Sequence, residues 1–261
     1  MADRGAGVEH EGMIRASSQG LSFDSAAAGY AAHRPSYPSA LLEAVEELGG
    51  FSLVGARVAD VGAGTGLGTR VLVGRGARVV GVEPGAGMAA QFRIGLPGVP
   101  LVLGDGNALP LHSSSLDVVA YAQSWHWTDP RRSVPEALRV LRPGGALALW
   151  WNDSDGGVPW VAERDARLRR LFAGGDASYD PEARFRRLPG ELPFVRRRVR
   201  WSRDVSLDAH LANLATYSDF LVLGREGTDR FLAEEREILA GIFPGGTVRE
   251  QYVVSLAVAV R

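Results

Sequence analysis

The chain has 261 residues, 46% of them apolar and 23% charged, with a formal net charge of −1. That composition excludes a disordered chain, and the balanced charge argues against a protein held to nucleic acid by bulk phosphate neutralisation. There is no Cys and no Lys; all 29 basic residues are Arg, which excludes disulfides, thiolate metal sites, Cys nucleophiles, Schiff-base lysines and the phosphate-loop lysine.

Residues 1–20 are polar and Gly-rich and read as a mobile tail. They lack the apolar stretch of a secretory signal, and no run is long enough to span a bilayer, so a cytoplasmic protein is expected. Leu41, Leu42, Val45 and Leu48 share one face of a helix over 39–48, opened by Pro38–Ser39 and stopped by Gly49–Gly50. An alternating series follows. Strands are expected at 57–61, 77–83, 99–103, 116–122 and 146–151, and helices at about 66–73, 85–93 and from Pro130 to Pro143. Asp129 caps that last helix and Pro130 takes its first position; Pro135 inside it should cost a hydrogen bond and a kink. Alternation of this kind with short Gly-rich links means βαβ crossovers and a doubly wound, mostly parallel sheet with helices on both faces.

After residue 152 the rhythm changes. Residues 158–173 read as a helix, 174–193 as Gly/Pro-rich loop, 194–203 as a strand, 207–223 and 228–240 as helices, and 247–260 as a long final strand. The expected organisation is a single domain over 21–261 with a cap or lid insertion at about 153–193.

The strongest local signal is Val58-Ala59-Asp60-Val61-Gly62-Ala63-Gly64-Thr65-Gly66, a strand entering a glycine turn and then a helix. Glycines let a flat ligand approach the backbone. The dinucleotide fingerprint demands Gly or Ala at position 67, where Leu67 stands, and the carboxylate of Asp60 repels a pyrophosphate but attracts a cation. Glu83 closes the second strand, where an acid takes both hydroxyls of a ribose. The turn therefore suits an adenosine-like ligand without a pyrophosphate.

This stretch resembles motif I of the class I S-adenosylmethionine-dependent methyltransferases, and further segments resemble that family in the same order. Glu83 looks like its ribose acid. Gly104-Asp105-Gly106-Asn107-Ala108-Leu109-Pro110 resembles its adenine segment, with Gly106 where Ala is usual. Leu116-Asp117-Val118-Val119 with Gln123-Ser124-Trp125-His126-Trp127 resembles strand four and its loop, and Leu138-Arg139-Val140-Leu141-Arg142-Pro143-Gly144-Gly145 the approach to strand five. Tyr30-Ala31-Ala32-His33-Arg34-Pro35-Ser36-Tyr37-Pro38 and Trp151–Asn152 add a likeness to the small-molecule branch of methyltransferase type 11, which includes trans-aconitate methyltransferase-like proteins.

The resemblance implies a seven-stranded Rossmann-like fold, S-adenosyl-L-methionine as donor, S-adenosyl-L-homocysteine as product, and a small-molecule acceptor methylated on O, N or C by in-line displacement. It implies that Asp60, Gly62, Ala63, Gly64, Thr65 and Gly66 surround the methionine part, with Pro84, Met88 and Gln123 nearby. Glu83 would hold the ribose; Asp105, Gly106, Asn107 and Ala108 would read the adenine; Tyr30 and Arg34 would close over the donor and meet its carboxylate. The acceptor pocket would be lined by Trp125, His126, Trp127, Trp151 and Asn152. His126 is the candidate general base because an imidazole titrates near neutrality. Two alternatives stay open on sequence: a domain that binds the donor without catalysis, and a nucleotide-cofactor oxidoreductase, disfavoured by Leu67 and Asp60. No metal, nucleic-acid or membrane partner is expected, and a monomer or homodimer suffices. His10, His33, His112 and His210 are scattered without metal-ligand spacing and read as structural. The eight arginines within 184–203 read as a solvated face, or as an entrance for an acidic substrate.

Overall fold

The computed structural model describes residues 32–173, 183–186, 188, 190 and 192–261; the tail expected over residues 1–20, Tyr30 and most of the loop expected over 174–193 lie outside the described residues. Seven strands form one sheet: β1 (Arg57–Val61), β2 (Arg78–Glu83), β3 (Leu101–Leu103), β4 (Leu116–Ala122), β5 (Leu141–Ser154), β6 (Val195–Ser206) and β7 (Thr247–Val260). Their order is β3-β2-β1-β4-β5-β7-β6. The five strands from β3 to β5 are mutually parallel, and β7 runs antiparallel to both β5 and β6. The strand order reverses between β1 and β4, the switch point at which open α/β sheets bind ligands.

Among the described residues the α-helices are α1 (Ser39–Gly49), α2 (Leu67–Gly74), α3 (Ala86–Gly95), α4 (Pro130–Val140), α5 (Pro159–Ala173), α6 (Ala183–Arg186), α7 (Leu207–Leu214) and α8 (Ser218–Ile242). Apolar side chains alternate between the sheet's two faces. Leu41 and Val45 of α1 pack with Val58, Val118, Ala120, Trp150 and Leu256 on one face. Ala59, Val61, Val119, Tyr121, Leu149 and Trp151 meet Val134, Ala137 and Val140 of α4 on the other.

The expected elements form, with differences at β5, at the two C-terminal helices and at α6 (Ala183–Arg186), which lies within the expected 174–193 loop. β5 begins at Leu141 rather than 146: Leu116 pairs with Leu141, then Val118 with Ala146, so Pro143-Gly144-Gly145 loops out as an irregularity in the strand. α4 runs unbroken through Pro135, with Asp129 capping the Arg131 N–H as expected. Pro135 and Arg131 both lie on the exposed face, so the Arg131 carbonyl that loses its bond faces water. The two C-terminal helices divide differently: α7 ends at Leu214, and α8 spans Ser218–Ile242 around Gly224, whose φ of 77° is non-helical. The basic stretch is a wet edge only in part: Arg184 and Arg203 turn inward to Asp153 and buried Glu250. Along β6 exposed residues alternate with half-buried ones, and Arg197 and Arg200 pair with Glu47 and Asp155.

Candidate active site

Glycines decide the shape of the turn after β1. Gly62 has φ 68°, and a Cβ there would collide with Ser124, whose hydroxyl donates to the Val61 carbonyl. Gly64 has φ 57° and nothing within 4 Å of where a Cβ would stand. The first glycine packs the turn against the loop after β4; the second leaves open space above the backbone. Thr65, between Gly64 and Gly66, is buried, and its hydroxyl has no hydrogen-bond partner.

Glu83 ends β2 beside this turn. Its carboxylate accepts from the Gly64 N–H at 2.8 Å and from the Gly85 N–H at 2.9 Å. It thus ties the glycine turn to the start of α3 and stands at the rim of a cavity of about 490 Å³. Gly62, Ala63, Gly64, Thr65 and Glu83 wall this cavity on one side, with Pro84 and Met88 next to them. Asp105, Gly106 and Asn107 form another wall, and Arg34, Gln123, His126 and Trp127 stand across the opening. Asp105 accepts from the Asn107 backbone at 2.9 Å and side chain at 3.0 Å, and Asn107 Oδ1 accepts from the Asp129 N–H at 2.8 Å, so this loop is fixed from both ends. The Gly in place of Ala has a local cause: a Cβ at Gly106 would stand 3.0 Å from Val61, 3.2 Å from Thr128 and 3.4 Å from Tyr121. Burial, with the charges of Asp105 and Glu136, raises the Tyr121 phenol far above its ordinary range.

Several expected site residues lie elsewhere. Asp60 is completely buried beneath the turn, not in the cavity wall. Its Oδ2 accepts from the Thr69 hydroxyl at 2.6 Å, and its Oδ1 has no partner. Burial is the main cause that pushes its pKa up to about 6; the Thr69 hydrogen bond opposes and the Glu83 charge adds to the rise. Gly66 and Ala108 also stand outside the cavity lining. Trp125 and Trp151 are not pocket walls. Trp125 packs edge-on against Tyr121, Trp151 packs edge-on against Phe185, and both are in the core. Their large apolar rings gain more from that burial than from a wet pocket.

Trp151 also redefines His126. Its indole N–H donates to His126 Nδ1 at 3.2 Å. An indole N–H is only a donor, so Nδ1 is the acceptor and the neutral ring carries its proton on Nε2. With the Nδ1 lone pair occupied and Nε2 protonated, the neutral ring presents a hydrogen-bond donor. The expected role of general base does not fit this arrangement.

Asn152 belongs to a second cavity of about 320 Å³ that shares Arg34, Tyr37, Leu67 and Gln123 with the first. Its other walls come from Asp153 and Ser154, from Asp165, Leu168 and Arg169 of α5, and from Asn213, Tyr217 and Tyr252. Gln123 stands at the junction in a left-handed conformation, φ 61°, and its side-chain amide donates to the Asn152 carbonyl at 2.9 Å. The sequence signals for this chamber are Asn152 and the expected cap at 153–193, which supplies Asp153, Ser154, Asp165, Leu168 and Arg169; Asn213, Tyr217 and Tyr252 were not anticipated.

Behind the second cavity lies a buried polar cluster. Glu250 accepts from Tyr252 at 2.8 Å and from Arg203 at 2.5 Å, and lies 2.6 Å from His210 Nδ1. Burial opposes its ionisation, but the hydrogen bonds from His210 and Tyr252 and the Arg203 charge prevail and hold its pKa at about 2. His210 is thus a structural histidine, as the sequence suggested. Among the described residues no group of three or more His, Asp or Glu side chains is arranged to hold a metal ion, and no helix is long and apolar enough to cross a membrane.

Known proteins are similar to this chain. A methyltransferase-domain family profile matches residues 59–149. An uncharacterized methyltransferase of Mycobacterium tuberculosis (strain ATCC 25618 / H37Rv) is 38% identical over 221 residues, 84% of this chain and 86% of its own. The chain belongs to the class I S-adenosylmethionine-dependent methyltransferases. A malonyl-[acyl-carrier protein] O-methyltransferase of Methylococcus capsulatus is 37% identical over half of each chain. In fold, a protein described as a type II methyltransferase of Anaeromyxobacter dehalogenans superposes with a TM-score of 0.67 at 24% identity over 87% of this chain and 97% of its own. A phosphoethanolamine N-methyltransferase of Haemonchus contortus, bound to phosphomonomethylethanolamine and S-adenosylhomocysteine, gives 0.52 at 15% identity over 91% and 57%. This methyltransferase carries its first cavity at the switch point of its own sheet, past the ends of β1, β2 and β4.

Proposed function

We propose that this enzyme methylates a small molecule seated in the second cavity, with S-adenosylmethionine in the first. The observation that carries the reading is the pair of chambers meeting at Arg34, Tyr37, Leu67 and Gln123. One has a volume suited to an adenosine-sized ligand and the other to a metabolite. The chain's own groups fit the donor. The open space over Gly64 and the unpartnered Thr65 hydroxyl suit its amino-acid part. The Glu83 carboxylate, held from behind by two backbone N–H groups, would accept from the ribose hydroxyls. Asp105 and Asn107 would face the adenine, and Arg34 at the junction, with Tyr30, would close over the donor. The stretch containing α5 would act as the cap, since three of its residues wall the acceptor chamber.

Bound S-adenosylmethionine supplies an electrophilic methyl group on a sulfonium. Transfer of that methyl to the acceptor atom would leave neutral S-adenosylhomocysteine, and any proton displaced from the acceptor atom would pass to solvent. The protein's part is alignment, exclusion of water and charge placement. His126 would contribute as a hydrogen-bond donor rather than as a base. The M. capsulatus and H. contortus proteins are named for different acceptors.

The test is incubation of the purified protein with donor labelled on the methyl group and a fractionated pool of small metabolites. Label recovered in a small molecule, with equimolar S-adenosylhomocysteine, is the expected result. Label found only in added protein or nucleic acid would refute it.

A further inference from the structure

We propose that Arg169 anchors an anionic group of the methyl acceptor, a carboxylate or a phosphate, at a point in the second cavity remote from the atom that is methylated. The inference rests on the assignment of that cavity to the acceptor.

Arg169 lies on α5, half-buried, in the wall of the second cavity. It makes no hydrogen bond or ion pair with any described residue. The two acids in the same wall are both engaged by other arginines. Asp153 is gripped by both terminal nitrogens of Arg184 at 2.9–3.1 Å. Asp165, one helical turn before Arg169, is held by Arg164 at 2.6 and 3.1 Å. Arg34 adds positive charge to the same chamber, its guanidinium 4.6 Å over the Tyr217 ring and donating to the Thr216 carbonyl at 3.1 Å. The acids are neutralised and a cation remains, so the chamber as a whole favours an anion.

The geometry also says which part of the acceptor the anion is. Arg169 belongs to the second cavity alone, whereas the four residues shared by both chambers mark the route by which a methyl group passes between them. An anion held at Arg169 is therefore not the nucleophile. The reacting atom lies at the other end, near Gln123. A guanidinium fork reads two oxygens of a carboxylate or phosphate at once, which fixes the acceptor's orientation as well as its charge.

Calorimetry on the protein saturated with S-adenosylhomocysteine tests this with two matched pairs: 4-hydroxybenzoate against 4-hydroxybenzyl alcohol, and phenyl phosphate against phenol. At least one anionic probe is expected to bind more tightly than its uncharged partner. Arg169→Ala should weaken that probe at least tenfold, Arg169→Lys should fall between, and neither variant should change affinity for S-adenosylhomocysteine. The two pairs tell a carboxylate site from a phosphate site. Anionic probes that bind no better than their partners, or bind Arg169→Ala as well as the parent, would overturn the proposal. Failure of S-adenosylhomocysteine itself to bind would instead overturn the reading of the first cavity.

Discussion

Replacing Asp60 by Asn should stabilise the protein near neutral pH while weakening its hold on the donor. In the folded chain the buried carboxyl titrates at about 6, against an ordinary 3.8. The folded state keeps this proton to higher pH than the unfolded one, so between the two values it binds more protons and stability falls as pH rises. Linkage makes the carboxylate cost about 3 kcal/mol at pH 7.5 and about 1 kcal/mol at pH 4.5. Asn retains an acceptor for the Thr69 hydroxyl but sets an amide N–H where Oδ1 has no partner, an orphan donor costing about 1–2 kcal/mol at every pH. The net gain at pH 7.5 is about 1–2 kcal/mol, a rise of about 3–6 °C in Tm for a chain of this size, and it shrinks by about 2 kcal/mol on acidification to pH 4.5. Urea unfolding of both proteins across that range measures it. A variant that is less stable than the parent by the same amount at each pH would refute the argument. In the same samples S-adenosylmethionine should bind the variant more weakly, because a buried negative charge near a cation has been removed.

Gly64→Val should abolish donor binding in calorimetry, since its side chain would occupy the open space over the turn at a φ of 57°; unchanged affinity would refute the assignment of the turn. Glu83→Ala should weaken donor binding by about 1.5–3 kcal/mol, and calorimetry showing equal affinity would reject the ribose role. Glu250→Ala strands Arg203 and removes the partner of His210. It should lower unfolding free energy by about 3–5 kcal/mol in urea titrations, and an effect below about 1 kcal/mol, the range of exposed pairs, would show the cluster to be dispensable.

The parallel half of the sheet was legible because its strands are buried on both faces and read as short apolar runs ending at glycine. The same property hid the tryptophans. Trp150 and Trp151 are neighbours on β5, one in each core, and a strand covered on both sides has no polar alternation to say that Trp151 turns inward. The turn after β1 and the acid ending β2 could be read because they are local in sequence. The second cavity could be read only in part: Asn152 and the 153–193 cap were expected beside the acceptor, but Asn213, Tyr217 and Tyr252, which complete its wall, are brought there only by the fold. The carboxylate of Asp60 was recognised as chemically important, but its place beneath the turn depends on the direction of a single strand residue. Pro135 was read as a defect because sequence does not show that the carbonyl it frees faces water.

Position β7 between β5 and β6 sets a timetable for assembly. The ribosome makes β6 before the strand that will lie between it and the rest of the sheet. Until β7 emerges, β6 is an isolated ribbon and β5 is an open border, the sort of raw edge through which nascent chains adhere to one another. Four arginines within six residues of β6 would then keep the waiting ribbon hydrated and mutually repellent.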